Sequence, residues 1–314
     1  MELYSIGIAT DCSLDYDFFA IMEQAARVMG LSTYMVRPHN LAETISRIRD
    51  KELNFLAFYD RASDTSPAFL DLYSVLADNQ VLYFVNLDLQ KTASDKSIMH
   101  KQFITNEINV PKTLIIPALN RQPKLKLVEQ DLEMLSRPFV LKPAVNTGSG
   151  IGVHLDANIL TDVEEKRQEF PDDDYLLQQK IIPKEYDAKR FWFRVFYVCG
   201  SIIGNWWDNN SHRYQPIADE DELSDDIKRF NIILKRMHDI CGLQFFSTEL
   251  AITEDNSIYA IDYVNEICDM RLQSKYYDGI PDDVVKNIAE KIVEYLERHL
   301  NIPSTPGFSE FKTK

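Results

Sequence analysis

The sequence predicts an α/β region over residues 1–90 followed by an antiparallel α+β region, and three observations carry the prediction. Apolar β-type runs alternate with helical patterns at the start of the chain. Strand-like runs punctuated by glycine fill the middle, and long helical patterns follow in the second half. With 314 residues and 45% hydrophobic content, the chain has the apolar surface for two or three packed subdomains.

The first region reads as strands at Leu3 to Ala9, Ser32 to Val36, Phe55 to Tyr59 and Val81 to Val85. Helices at Tyr16 to Met29, Leu41 to Lys51 and Ala68 to Ala77 alternate with them. That rhythm belongs to a parallel sheet, whose ligands sit beyond the carboxyl ends of the strands. Asp11 and Ser13, then Asp60, Arg61, Ser63 and Asp64, fall there. Capping and turn roles are the stronger reading for each, because Asp and Ser are preferred helix N-caps. Gly7-Ile-Ala-Thr-Asp11 holds a single glycine, so a dinucleotide fingerprint is absent.

Beyond it we expect a helix from Asp95 to Ile108, a turn and strand over Asn109 to Ile116, and a helix from Lys124 to Leu135. Strands then follow at Phe139 to Lys142, Gly152 to Leu155, Tyr175 to Ile181, Phe191 to Val198 and Ser201 to Trp206, the last two joined through Cys199-Gly-Ser201. A helix from Glu220 to Ile240 precedes a hairpin of Gln244 to Thr253 and Ser257 to Tyr263, turned at Glu254-Asp-Asn256. The last helix spans Pro281 to His299, and the tail 301–314, with Pro303, Pro306 and Gly307, reads as irregular.

Charge excludes several function classes. Forty-nine acidic against 34 basic residues leave a formal charge of -15, which disfavours nucleic acid and acidic membranes as partners. A phosphate site in this chain must therefore be locally basic. Cys12, Cys199, Cys241 and Cys268 form no CxxC pair, which fits a reducing cytoplasm. Met1 to Ser13 lacks the pattern of an export signal, and no apolar run approaches the ~20 residues that cross a bilayer. The six histidines form neither a triad nor HExxH.

Asn146-Thr-Gly-Ser-Gly-Ile-Gly152 lies between two expected strands, and its three glycines let backbone N–H groups turn inward around phosphate. Taken alone, it reads equally well as a ligand-free turn. Lys142 precedes it on a strand. Arg194 stands in the apolar run Phe191 to Phe196, where a charge needs a partner, and its planar fork suits phosphate oxygens. Glu249 and Asp262 occupy the two arms of the expected hairpin. Two acids side by side there are destabilising without a cation, which points to a divalent metal.

Taken together, Ser94-Asp-Lys96 at a helix start, Ile108-Asn-Val-Pro-Lys-Thr113, Phe139-Val-Leu-Lys-Pro143, the glycine loop and Phe193-Arg-Val-Phe-Tyr-Val-Cys-Gly200 resemble, in that order, the ATP-grasp superfamily. Within it the chain is similar to glutathione synthetase ATP-binding domain-like proteins such as D-alanine ligases and ribosomal S6 modification-type ligases. The resemblance implies an ATP-grasp fold: an N-terminal parallel α/β domain over 1–90, then two α+β lobes, 91–181 and 182–300, clasping ATP.

It also implies roles. Lys96 and Lys142 would meet the phosphates, with Gly148, Ser149, Gly150, Ile151 and Gly152 forming a lid over them. Leu177-Gln-Gln-Lys-Ile-Ile182 fits the adenine hinge loosely, giving Gln178, Gln179, Lys180 and Ile181, with Glu185 on the ribose. Arg194 would stabilise the transferred phosphate, and Glu249, Asp262 and Asn265 would hold Mg2+. The family spaces its last carboxylate and asparagine by one residue, whereas Asp262-Tyr-Val-Asn265 is one longer. Either a bulge restores the geometry, or Glu266 or the Asn265 carbonyl replaces a ligand.

Arg213, Asn210 and Arg271 are substrate candidates. An exposed loop is the stronger reading for the first two, and a salt bridge to Asp269 is an equal reading for Arg271. The activity implied is ATP-dependent joining of a small-molecule or peptide carboxylate to an amine or thiol through an acylphosphate, with ADP and phosphate released. A kinase or a non-catalytic ATP-binding protein are the alternatives, and a homodimer is compatible with the family.

Overall fold

The computed structural model describes residues 1–77, 79–145, 150–186, 189–218, 221 and 223–300. Gly148 and Ser149 of the glycine loop and the tail 301–314 lie outside the described residues. The chain divides into two units, Met1–Val85 with Val285–Lys314, and Asn86–Val284. The last helix thus groups mostly with the first unit, whereas the sequence reading placed it in the lobe 182–300.

In the first unit, β1 (Glu2–Thr10), β2 (Thr33–Val36), β3 (Leu53–Arg61) and β4 (Leu82–Tyr83) form a parallel sheet in the order β2-β1-β3-β4. Helices α1 (Tyr16–Val28), α2 (Leu41–Arg49) and α3 (Leu70–Ala77) make the crossovers that parallel strands require. Each helix buries one stripe. In α1 the buried set is Phe18, Phe19, Met22, Ala25 and Ala26, the i, i+4, i+7 spacing of an amphipathic helix.

The second unit opens on α4 (Leu87–Ser94) and α5 (Lys96–Thr105), separated by Asp95, whose carboxylate caps α5 by accepting from Ser97 N and Ile98 N. A four-stranded antiparallel sheet follows, β5-β8-β6-β7, built from β5 (Thr113–Ile116), β6 (Phe139–Pro143), β7 (His154–Ala157) and, after α6 (Leu160–Lys166), β8 (Tyr175–Gln178). Its core packs Phe139, Leu141, Tyr175 and Leu177 against Leu132, Leu135 and Val163.

The helix expected from Lys124 is shorter and tighter, a 3₁₀ segment over Glu129–Leu135. Asp131 reaches back to accept from Val128 N at 2.7 Å, which starts the helix late. The strand expected to Ile181 ends at Gln178.

The short pair β9 (Glu185–Tyr186) and β10 (Lys189–Arg190) leads into a five-stranded antiparallel sheet. Its order is β13-β12-β11-β14-β15, from β11 (Trp192–Val198), β12 (Ser201–Asp208), β13 (Arg213–Pro216), β14 (Phe245–Ile252) and β15 (Ile258–Asn265). Cys199 and Gly200, at φ +50° and +91°, close the β11–β12 hairpin with the left-handed pair that a two-residue turn demands. Helix α7 (Ser224–Cys241) covers one face with Phe230, Leu234 and Met237, packed beside Phe193, Val195 and Phe246. That leaves Arg194, one residue out of phase, on the other face. Helix α8 (Asp282–His299) ends the described chain.

Candidate active site

Strand register builds the centre of the site. Arg194 on β11 stands directly opposite Glu249 on β14, and Glu249 stands directly opposite Asp262 on β15. Directly opposed residues in antiparallel strands share a face, so three charged groups form one row across the sheet. Arg194 Nη2 lies 3.2 Å from Glu249 Oε1, and Nη1 lies 3.8 Å from Asp262 Oδ2. Trp192, two residues before Arg194 and so on the same face, donates its indole N–H to Glu249 Oε2 at 2.9 Å.

A bulge decides the third position. Pairing shifts register between Ser247↔Asn265 and Glu249↔Asp262, because β15 spends three steps where β14 spends two. The extra residue puts Asn265 on the face that carries Asp262, which a regular strand of that spacing would forbid. A second shift follows at once between Glu249 and Leu250, leaving Ile261 as the extra residue. Its carbonyl accepts from Lys142 Nζ at 3.0 Å.

Both lysines converge on the row. Lys142 extends from β6, is 5% exposed, and sits 5.4 Å from the centre of the Tyr263 ring. Burial lowers its pKa to about 8; Lys96 pushes the same way, and Asp262 and Glu249 oppose it. Lys96, the first residue of α5, places Nζ 3.8 Å from Asp262 Oδ1. Burial works to raise the Asp262 carboxyl, but Lys96, Lys142 and Arg194 outweigh it and hold the group below the usual carboxylate range. Three cations surround two anions, so the row is basic within an acidic chain.

Backbone contacts tie Lys96 to the root of the glycine loop. Lys96 N donates to Ala144 O, Ala144 N donates to Asp174 O, and Val145 N donates to Asp173 Oδ2. At the far side of the loop Gly152 has φ +71°, and a Cβ there would lie 2.6 Å from the Phe170 ring and 2.9 Å from Pro143. Only glycine fits. Gly150 is also left-handed at φ +77°, and Ile151 is 60% exposed at the turn.

The expected hinge residues divide. Gln178 is 2% exposed and donates to Tyr263 Oη at 2.8 Å, so its side chain braces the site. Gln179 N donates to Lys112 O, while Lys180 and Ile181 are partly exposed in irregular chain after β8. Glu185 is exposed and lies 3.5 Å from Arg190. Arg213 lies over the Tyr277 ring and Asn210 N donates to Asp208; both are exposed. Arg271 spends its fork on Asp269 and on both oxygens of Asp278.

Sequence reading missed four contributors. Tyr263 links the sheet of Lys142 to α5: it accepts from Gln178 and shares a hydrogen bond of 2.6 Å with His100 Nδ1. His100 is buried, and burial with nearby Lys142 and Lys101 lowers its pKa to about 4. Asn205 belongs to the row itself, standing opposite Arg194 on β12, and Trp192 lies beside the row on the same face. No local pattern marks Trp192 or Asn205 for the site; the pairing of β11 with β12 and β14 brings them there.

The residues fit a divalent cation. Two carboxylates and an amide on one face supply hard oxygen donors, and Mg2+ commonly takes one or two carboxylates together with phosphate oxygens. Among the described residues no cluster of three or more His, Cys, Asp or Glu forms an all-protein cage. No described helix is long and apolar enough to cross a membrane.

No family model and no curated protein matches the chain. Solved structures do. The chain is similar to a RimK domain ATP-grasp protein from Sphaerobacter thermophilus, 17% identical, with 93% of this chain and 98% of the other covered at TM-score 0.60. It is likewise similar to D-alanine–D-alanine ligase from Bacillus anthracis complexed with ATP, 16% identical over 94% and 96%, TM-score 0.62. A third likeness is macrocyclase MdnC bound with precursor peptide MdnA from Microcystis aeruginosa, 13% identical over 94% and 99%, TM-score 0.61. The whole-length likeness agrees with the motif order read from the sequence, and the chain has the ATP-grasp fold.

Proposed function

We propose that the chain is a Mg-ATP-dependent ligase that joins a carboxylate, on a small molecule or a peptide, to an amine. The observation that carries the reading is the row Arg194, Glu249, Asp262 with Lys142 and Lys96 closing on it. Neighbours of this fold act on both kinds of acid: one is titled a D-alanine–D-alanine ligase, another a macrocyclase bound with a precursor peptide.

ATP would supply the phosphoryl group that turns a carboxylate into an acylphosphate, and Mg2+ the charge neutralisation, held by Glu249, Asp262 and Asn265. The chain's own residues do the rest. Lys142, held by the Ile261 carbonyl, and Lys96, at the start of α5, would bear on the phosphate tail as point charges. Arg194 would present a planar fork to oxygen atoms whose charge grows during transfer, from a half-buried position where screening by solvent is reduced. Gly150 to Gly152 form part of the turn that excludes water while an acyl donor waits for its amine. The adenine and ribose contacts assigned to Gln179, Lys180, Ile181 and Glu185, and the lobes 91–181 and 182–300, belong to the same proposal.

The test is ADP formation from Mg-ATP with pools of carboxylic acids and amines, products read by mass. The expected result is acid-dependent ADP release with an amide product, reduced at least a hundredfold in Glu249→Gln and Asp262→Asn. AMP release, or turnover indifferent to any acid, would sink the reading.

A further inference from the structure

Arg194 stands between unequal neighbours. On one side β14 sets Glu249 directly opposite it, and on the other β12 sets Asn205 directly opposite it. The guanidinium forms its ion pairs on the acidic side, at 3.2 Å from Glu249 and 3.8 Å from Asp262. Its Nε and Nη1 are buried and find no hydrogen-bond partner among the described residues. Asn205 is fully buried, and neither its Nδ2 nor its Oδ1 finds one. Trp207, two residues further on the same face of β12, lies with its ring centre 5.1 Å from the guanidinium carbon, and its indole nitrogen is in the same condition.

Buried polar groups are normally satisfied, so five unmet atoms on three adjacent residues call for a physical account. Four of them are donors, and Asn205 Oδ1 is the one acceptor. A divalent cation at Glu249 and Asp262 would compete with the guanidinium for the same carboxylates, since two positive groups cannot share them without repulsion. Asn205 is the neutral acceptor on the opposite side.

We propose that Asn205 is a positioning residue: when a divalent cation takes Glu249 and Asp262, Arg194 turns from β14 towards β12 and donates to Asn205 Oδ1. The remaining guanidinium N–H groups then face the transferred phosphoryl oxygens. Beside Glu249 and Asp262, the Arg194 guanidinium offsets the charge of both carboxylates. A carboxylate at 205 would trap the guanidinium in a competing ion pair, and an apolar residue would leave its N–H unmet. The inference rests on the Mg-ATP reading above.

The test measures Mn2+ affinity in the presence of ADP, by electron paramagnetic resonance, for the wild type, Asn205→Leu, Asn205→Ala, Arg194→Ala and the double variants. Both Asn205 variants should weaken Mn2+ binding about tenfold, the equivalent of ~1.4 kcal/mol. Arg194→Ala should bind Mn2+ at least as tightly as the wild type, and adding the Asn205 substitution to it should change nothing further. A Trp192→Phe, Trp206→Phe background leaves Trp207 as the single tryptophan and gives a second signal: Mg-ADP should alter its emission, and Asn205→Leu should suppress that change.

An equal Asn205 effect with and without Arg194, or none at all in a wild type that binds Mn-ADP, overturns the inference alone. A wild type that binds no Mn-ADP overturns the Mg-ATP reading as well. In EDTA, at least one Asn205 variant should melt no lower than the wild type, because each removes two unmet polar atoms. A lower midpoint in both would make Asn205 a structural residue and overturn the inference.

Discussion

At the scale of single residues, the site is a balance of buried and half-buried charges that compensate one another as a group. Asp262 feels three cations, so removing any one leaves a carboxylate short of compensation. His100 is the residue where this environment becomes measurable by pH. Its pKa lies near 6.5 unfolded and about 4 folded, so the unfolded chain takes up the proton first as pH falls. Stability from this group is therefore complete above pH 6.5 and is withdrawn as pH drops towards about 4. Urea titrations of wild type and His100→Gln across that window should show the variant losing less stability, since Gln keeps a hydrogen bond to Tyr263 and takes no proton.

At the scale of elements, strand register accounts for most of what the site can do. The order of strands and helices was legible from apolar runs, helical period and turn chemistry, because β1 to β3 are apolar runs separated by the helical patterns of α1 to α3. Short elements were not: α4, α6 and β13 escaped notice, and the 3₁₀ segment at Glu129–Leu135 passed for part of a longer helix. Each of α4, α6 and β13 buries only one or two side chains, too few to set a pattern apart from its surroundings. Glycine chemistry belongs to this scale too. Gly152→Ala would force a side chain into a left-handed residue and against Phe170, and should cost roughly 1–3 kcal/mol in chemical denaturation. A variant as stable as the wild type would show that the loop root is not held as described.

At the scale of the whole molecule, two facts about distribution matter. The chain carries a formal charge of -15, yet its site gathers Lys96, Lys142 and Arg194 around two acids. Such a local field would attract an anionic ligand in spite of the overall charge. All three tryptophans, Trp192, Trp206 and Trp207, lie in the unit Asn86–Val284, so their fluorescence reports that unit alone. Mg-ADP at about 100 times its Kd should stabilise the binding unit by ~2.7 kcal/mol. The fluorescence midpoint should then rise by more than the midpoint seen by far-ultraviolet circular dichroism. Equal shifts would show that the two units unfold as one.

The sequence by itself determined the fold class, the order of the motifs and the residue types at the centre of the site, because each leaves a local trace in spacing or turn chemistry. It also flagged that Asp262 and Asn265 were one residue too far apart. Only the tertiary structure decided that the surplus is absorbed by a bulge, that Arg271 is spent on Asp269 and Asp278, and that Asn205 and Trp192 share a face with Arg194. Those outcomes depend on which strand lies beside which and in what register. Pairings between residues 50 or more positions apart, such as Arg194 with Glu249, leave no periodic signal in either strand.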